Sequence, residues 1–155
     1  MKYCLDSNVF INAWRQHYSP EISMDFWTWF ANLARNKEIF VPEEVYEEIE
    51  NGKDGLFKWI KTLRSDIVYS LDVETQNILV EVIMKKPEAI KLADSNSKKN
   101  KNGADVFIAA YAKRHMCPVV SNDTGLRELC KVCGVEVLRD HEFFKAKKLK
   151  MNVIL

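Results

Sequence analysis

Tyr3-Cys4-Leu5-Asp6-Ser7-Asn8-Val9-Phe10-Ile11 decides how the rest of the chain is read. The apolar run over residues 2–5 stops at an acid, and a segment of 3.6-residue period follows from Val9 to His17. A short apolar run recurs at Ile39-Phe40-Val41, ending at Pro42, at Pro118-Val119-Val120, and at Val135-Glu136-Val137-Leu138. Between these strand candidates lie further helical segments: Met24 to Ala34, Glu43 to Glu50, Leu56 to Leu63, Val73 to Met84, Ala104 to Arg114 and Leu126 to Cys133. Strands separated by helices pair in parallel through crossovers. The expected fold class is therefore α/β: three layers, α/β/α, with a central parallel sheet of about four to five strands.

The 155 residues, 47% hydrophobic and 29% charged, suit one domain over 1–155. A formal net charge of +1 provides no global field toward nucleic acid or anionic lipid, so any polyanion must be held locally. No apolar stretch approaches the roughly 18 to 20 residues of a membrane span, so no membrane partner is expected. Asp6 falls where a signal peptide needs an unbroken apolar region, and the cysteines at 4, 117, 130 and 133 are too uneven for a disulfide scaffold. The expected setting is reducing and cytoplasmic. A polar loop over 87–103 and a C-terminal tail over 145–155 are expected to be mobile.

In open parallel sheets chemistry collects at the carboxyl ends of the strands. Asp6 follows the first strand and Asp123 the third, each among small polar neighbours: Ser7 and Asn8, Ser121 and Asn122. Asp105 opens an otherwise apolar helix, Val106 to Ala112, where the ordinary reading of an acid is its favourable interaction with the helix dipole. Among the five glutamates that follow Pro42, Glu48 alone lies beside the apolar stripe of Val45 and Ile49. Carboxylates left bare at one sheet edge repel one another, and a hard divalent cation makes such a cluster tolerable.

These segments together resemble the PIN domain family, a metal-dependent ribonuclease fold common in toxin–antitoxin pairs. Leu5 to Ile11 is similar to the family's opening motif, Val41 to Ile49 to its second, Ala104 to Ala112 to its third and Val119 to Asp123 to its fourth. The resemblance implies that Asp6, Glu48, Asp105 and Asp123 bind Mg²⁺ or Mn²⁺. It implies water attack in line on an RNA phosphodiester, leaving a 3′ hydroxyl and a 5′ phosphate. Asn8, Ser121 and Asn122 would be polar groups behind the acids or facing substrate. Residues 54–103 exceed what a minimal domain of this kind needs, which points to a variant subfamily with an insertion. A cognate antitoxin protein and a second copy of the chain are the expected protein partners.

Lys98, Lys99 and Lys101 lie just before Asp105, within reach of the phosphates of a bound strand; their ordinary reading is a solvated loop. The basic cluster Lys145, Lys147, Lys148 and Lys150 reads as a solvated tail. Cys130 and Cys133 have the spacing of many zinc sites, yet with Leu126 and Leu129 they form one apolar helix face ended by Gly134. In Phe26-Trp27-Thr28-Trp29-Phe30 the large residues cannot all face one stripe, so Trp27, Trp29 or Phe30 is expected on a surface that meets a partner. Two other readings compete with a nuclease. One is a non-catalytic RNA- or protein-binding module of the same fold. The other is a haloacid-dehalogenase-like phosphohydrolase, which needs a second Asp where this chain has Asn8.

Overall fold

The computed structural model describes residues 1–52, 54–92 and 104–154, with side chains described for these except 88–92 and 148–154. Five parallel strands form one sheet: β1 (Tyr3–Leu5), β2 (Ile39–Pro42), β3 (Val68–Tyr69), β4 (Val119–Val120) and β5 (Val137–Leu138), in the order β3-β2-β1-β4-β5. Cys4 pairs with Phe40 on one side and with Val119 on the other. Cys4, Leu5, Phe40, Val41, Val119 and Val120 are fully buried, as central parallel strands covered on both faces must be.

From β1 the chain builds outward to β2 and β3, then returns to lay β4 and β5 on the other side of β1. Strand order thus reverses between β1 and β4, which opens a crevice at their carboxyl ends. The helices are α1 (Ser7–Asn12), widening into a π-helical turn over Ala13–His17, α2 (Met24–Arg35), α3 (Glu43–Asn51), α4 (Gly55–Lys61), α5 (Arg64–Ile67), α6 (Val73–Leu92), α7 (Ala104–His115), α8 (Thr124–Val132) and α9 (Asp140–Ile154). α7 lies against β1, β2 and β4, and α6 covers α7 and α8 from outside. Ala109, Ala110, Tyr111 and Ala112 are wholly buried, which is why this helix is apolar all round.

Several expectations are corrected. β3 and α5 are too short to show a period. α6 continues past Met84 through Pro87 to Leu92, so residues 87–92 of the expected loop are helical. Proline reads as a stop because it removes one helical N–H, yet α6 carries it where α7 and α8 supply the packing. The rest of that loop, with Lys98, Lys99 and Lys101, lies outside the described residues. Residues 145–154, expected as a tail, are the later turns of α9. Lys147 is buried there, its Nζ 2.8 Å from Glu38 Oε1 and its ammonium over the Tyr3 ring.

The aromatic helix also departs from expectation. Phe26, Trp27 and Phe30 are all buried, and Trp29 packs against the core. α2 is covered on several sides at once: Trp14 and Trp59 close on Trp27 with ring centroids 4.8 Å away, and Phe144 of α9 closes on Phe26 and Phe30. The indole N–H of Trp27 is satisfied by the Tyr18 carbonyl. Large apolar side chains stand exposed elsewhere, at Val73, Val80, Ile83 and Met84 of α6.

Candidate functional site

Asp6 is the last residue before α1 and caps it. Its backbone is extended, and its Oδ1 accepts the Ser7 amide at 2.7 Å. Oδ2 accepts the Ser121 hydroxyl at 2.7 Å and the Asn8 side-chain amide at 3.1 Å. Because Asp6 is buried, its carboxyl is raised from the usual range; hydrogen bonds from Ser121 and Ser7 oppose this, and the Asp123 charge adds to it. β1 and β4 are neighbours, so the end of one strand supplies the acid and the end of the other the hydroxyl that orients it.

Ser121 is fully buried and used twice: while donating to Asp6, its oxygen accepts the backbone amide of Asp123 at 3.0 Å. Asp123 caps α8, its Oδ2 accepting the Leu126 amide at 2.8 Å. The Asn8 side chain spans the crevice, its Nδ2 also 3.4 Å from Ser121 Oγ and its Oδ1 accepting the Asn122 amide at 3.5 Å. Asn122 turns its own side-chain oxygen to the Asp140 amide, so it fastens the start of α9.

Asp105 stands in the first turn of α7 and is 8% exposed. Its Oδ1 accepts the Val106 amide at 2.9 Å and lies 3.4 Å from the Lys86 ammonium of α6. Glu48 is half-buried on α3. Its carboxyl is pushed up to about 7, first by burial, then by the charges of Asp6 and Asp105, with a hydrogen bond to the Ser7 side chain opposing them. The exposed Glu47 and Glu50 of the same helix have no such surroundings.

Asp6 therefore feels Asp123, and Glu48 feels Asp6 and Asp105, across the carboxyl edge of the sheet. Among the described residues no three His, Cys, Asp or Glu side chains are drawn together closely enough to hold a metal ion. The donors are nonetheless of the kind Mg²⁺ and Mn²⁺ prefer, carboxylate oxygens with hydroxyl and amide support, and the carboxyls of Asp6 and Glu48 are raised in this setting.

Two participants lie outside the sequence reading of the site. Ser7 touches both Asp6 and Glu48; its place next to Asp6 was the available signal. Lys86 has no local signal, because it reaches Asp105 only through the packing of α6 on α7. Cys130 and Cys133 are buried free thiols, like Cys4 and Cys117. A cavity of about 370 Å³, lined by Met1, Met116, Cys117 and Cys133 among others, lies toward the amino ends of the strands and includes none of the four acids.

The model of a protein family described as a domain of unknown function, DUF4411, matches residues 3–151. No curated protein matches the sequence. Among solved structures, VapBC2 from Rickettsia felis bound to a DNA fragment from its promoter is similar with a TM-score of 0.61 at 17% identity, over 90% of this chain and 98% of that one. FitAB bound to an IR36 DNA fragment is similar with a TM-score of 0.56 at 20% identity, over 89% and 94%. FitAcB from Neisseria gonorrhoeae gives 0.52 at 21% identity, over 89% and 97%. At these identities the likeness is one of fold, a PIN-like α/β domain with a five-stranded parallel sheet.

Proposed function

The chain belongs to the DUF4411 family, and from that premise we propose that it is a metal-dependent endoribonuclease acting as the toxin of a toxin–antitoxin pair. The observation that carries this reading is the placing of Asp6, Glu48, Asp105 and Asp123 along the carboxyl edge of the sheet at the strand-order reversal, where burial and neighbouring charge raise the carboxyls of Asp6 and Glu48. Structures of the same fold whose names are VapBC2 and FitAB are bound to DNA fragments, which supports a regulated two-component system and an antitoxin partner.

The residues that would hold Mg²⁺ or Mn²⁺ are Asp6, Glu48, Asp105 and Asp123. The ion would supply a bound water of lowered pKa and neutralise charge on the phosphoryl oxygens. The chain's own work is orientation. Ser121 and Asn8 bond one oxygen of Asp6 from the substrate side of the strands, and the Ser7 amide holds the other, so the carboxylate is fixed before any ligand arrives. The Val106 amide does the same for Asp105. Preset carboxylates spare the site reorganisation during the reaction.

One observation favours a second reading, a non-catalytic module of the same fold: Asp105 already has an ammonium beside it. A metal titration of the purified protein against a mixed single-stranded RNA pool, with Asp105→Asn alongside, separates the two. Cleavage that rises with Mn²⁺ or Mg²⁺, stops in EDTA and is lost in the variant supports the nuclease. RNA retained intact at every metal concentration refutes it.

A further inference from the structure

We propose that Lys86 is a built-in counter-cation of the acidic site, one that a divalent ion must displace from Asp105. The inference rests on the metal reading above and concerns how tightly that metal is held.

Lys86 comes from α6, which lies across α7 and α8. Its Nζ lies 3.4 Å from Asp105 Oδ1, with the lysine side chain 27% exposed and the aspartate 9%. Among the described residues this is the one ion pair made by any of Asp6, Glu48, Asp105 and Asp123. Among the described residues Asp6, Glu48 and Asp123 have no ammonium of their own.

The contact is loose. A charge-assisted N–H···O bond is about 2.7 to 2.9 Å long when well formed, and 3.4 Å leaves most of its directional strength unused. The ammonium is a compact charge on a flexible four-carbon stem, and its partial exposure gives it a path to water. Asp105 is held independently by the Val106 amide, so it keeps its position when the lysine departs. A divalent ion arriving at the free lone pairs of Asp105 meets the positive charge of Lys86 a few ångströms away. Either the lysine swings out or the ion binds against repulsion, and both weaken metal binding relative to a site without Lys86. The same charge stabilises the metal-free cluster.

The test compares wild type with Lys86→Met and Lys86→Gln, which remove the charge, and with Lys86→Arg, which keeps it. Mn²⁺ binding is read by calorimetric titration and by the spin-resonance signal of free Mn²⁺, and thermal melts are run in EDTA and in excess Mn²⁺. Both neutral variants are expected to bind Mn²⁺ more tightly than wild type, by up to about 5-fold, the upper end for loss of one partly screened charge. Lys86→Arg should stay within about twofold of wild type. In EDTA the neutral variants should melt below wild type, and Mn²⁺ should close that gap. If wild type binds Mn²⁺ and the neutral variants bind it equally or less tightly, Lys86 is not a competitor and this proposal alone falls. If no form binds Mn²⁺, the metal reading itself falls, and this inference with it.

Discussion

Glu48→Gln tests whether burial and the neighbouring acids penalise the Glu48 charge in the metal-free protein. Burial and the charges of Asp6 and Asp105 lift the Glu48 carboxyl from 4.5 to about 7. A carboxyl raised on folding keeps its proton while the unfolded chain releases it, so the folded state loses stability as pH rises from 4.5 to about 7 and is level above that. The difference of about 2.5 pH units corresponds to about 3.4 kcal/mol at 1.36 kcal/mol per unit. Glu48 is only half-buried and water screens part of this, which leaves about 1 to 2 kcal/mol. Glutamine has the same shape and no charge to penalise. In EDTA the variant should therefore match wild type near pH 4.5 and melt about 2 to 8 °C higher at pH 8.5, at roughly 2 to 4 °C per kcal/mol for a chain of this length. Denaturation over a pH series from 4.5 to 8.5, read by circular dichroism, measures the gap. A gap that is constant with pH, or a variant less stable than wild type at pH 8.5, would refute the account of a penalised Glu48 charge.

Three further outcomes follow from the same structure. Asp6→Asn and Asp105→Asn should each lower metal-dependent RNA cleavage by about 100-fold or more, since a carboxylate that holds the ion is lost; unchanged circular dichroism spectra would separate this from unfolding. Ser121→Ala removes the hydroxyl that donates to Asp6 and accepts from Asp123, and should cost about 1 to 3 kcal/mol in urea denaturation because the Asp123 amide loses its acceptor and Asp6 keeps only the longer bond from Asn8 on that oxygen. Trp27→Ala should cost about 3 to 5 kcal/mol, the range for emptying a buried aromatic site, and sedimentation should show loss of fold rather than release of a partner, because Trp27 is 1% exposed.

The carboxylates were legible because their signals are local. Asp6 ends an apolar run, Asp105 interrupts one, and Glu48 sits beside an apolar helix stripe, so each declares itself within one element. The alternation of runs and periods likewise announced a parallel α/β sheet, while the edge strand β3, its residues only half-buried, went unseen. The aromatic helix was misread for a different reason. A single apolar stripe is the rule for a helix covered from one side, but Trp14, Trp59 and Phe144 approach α2 from separate elements, and consecutive aromatics can then all be buried.

The lysines show most plainly where sequence stops. Lys86 and Lys147 each sit in a stretch whose composition reads as ordinary solvated surface, and each ends beside a carboxylate from a distant segment, Asp105 and Glu38. Spacing along the chain carries no trace of either pair, since each arises only when a helix packs against a distant segment. The acids at the crevice are placed by strand order, a property of the local pattern and its topology. Their charge balance is set by α6, and a chain with the same four motifs but a different α6 would present the same carboxylates without this ammonium. The ammonium beside Asp105 is thus supplied by a helix outside all four motifs.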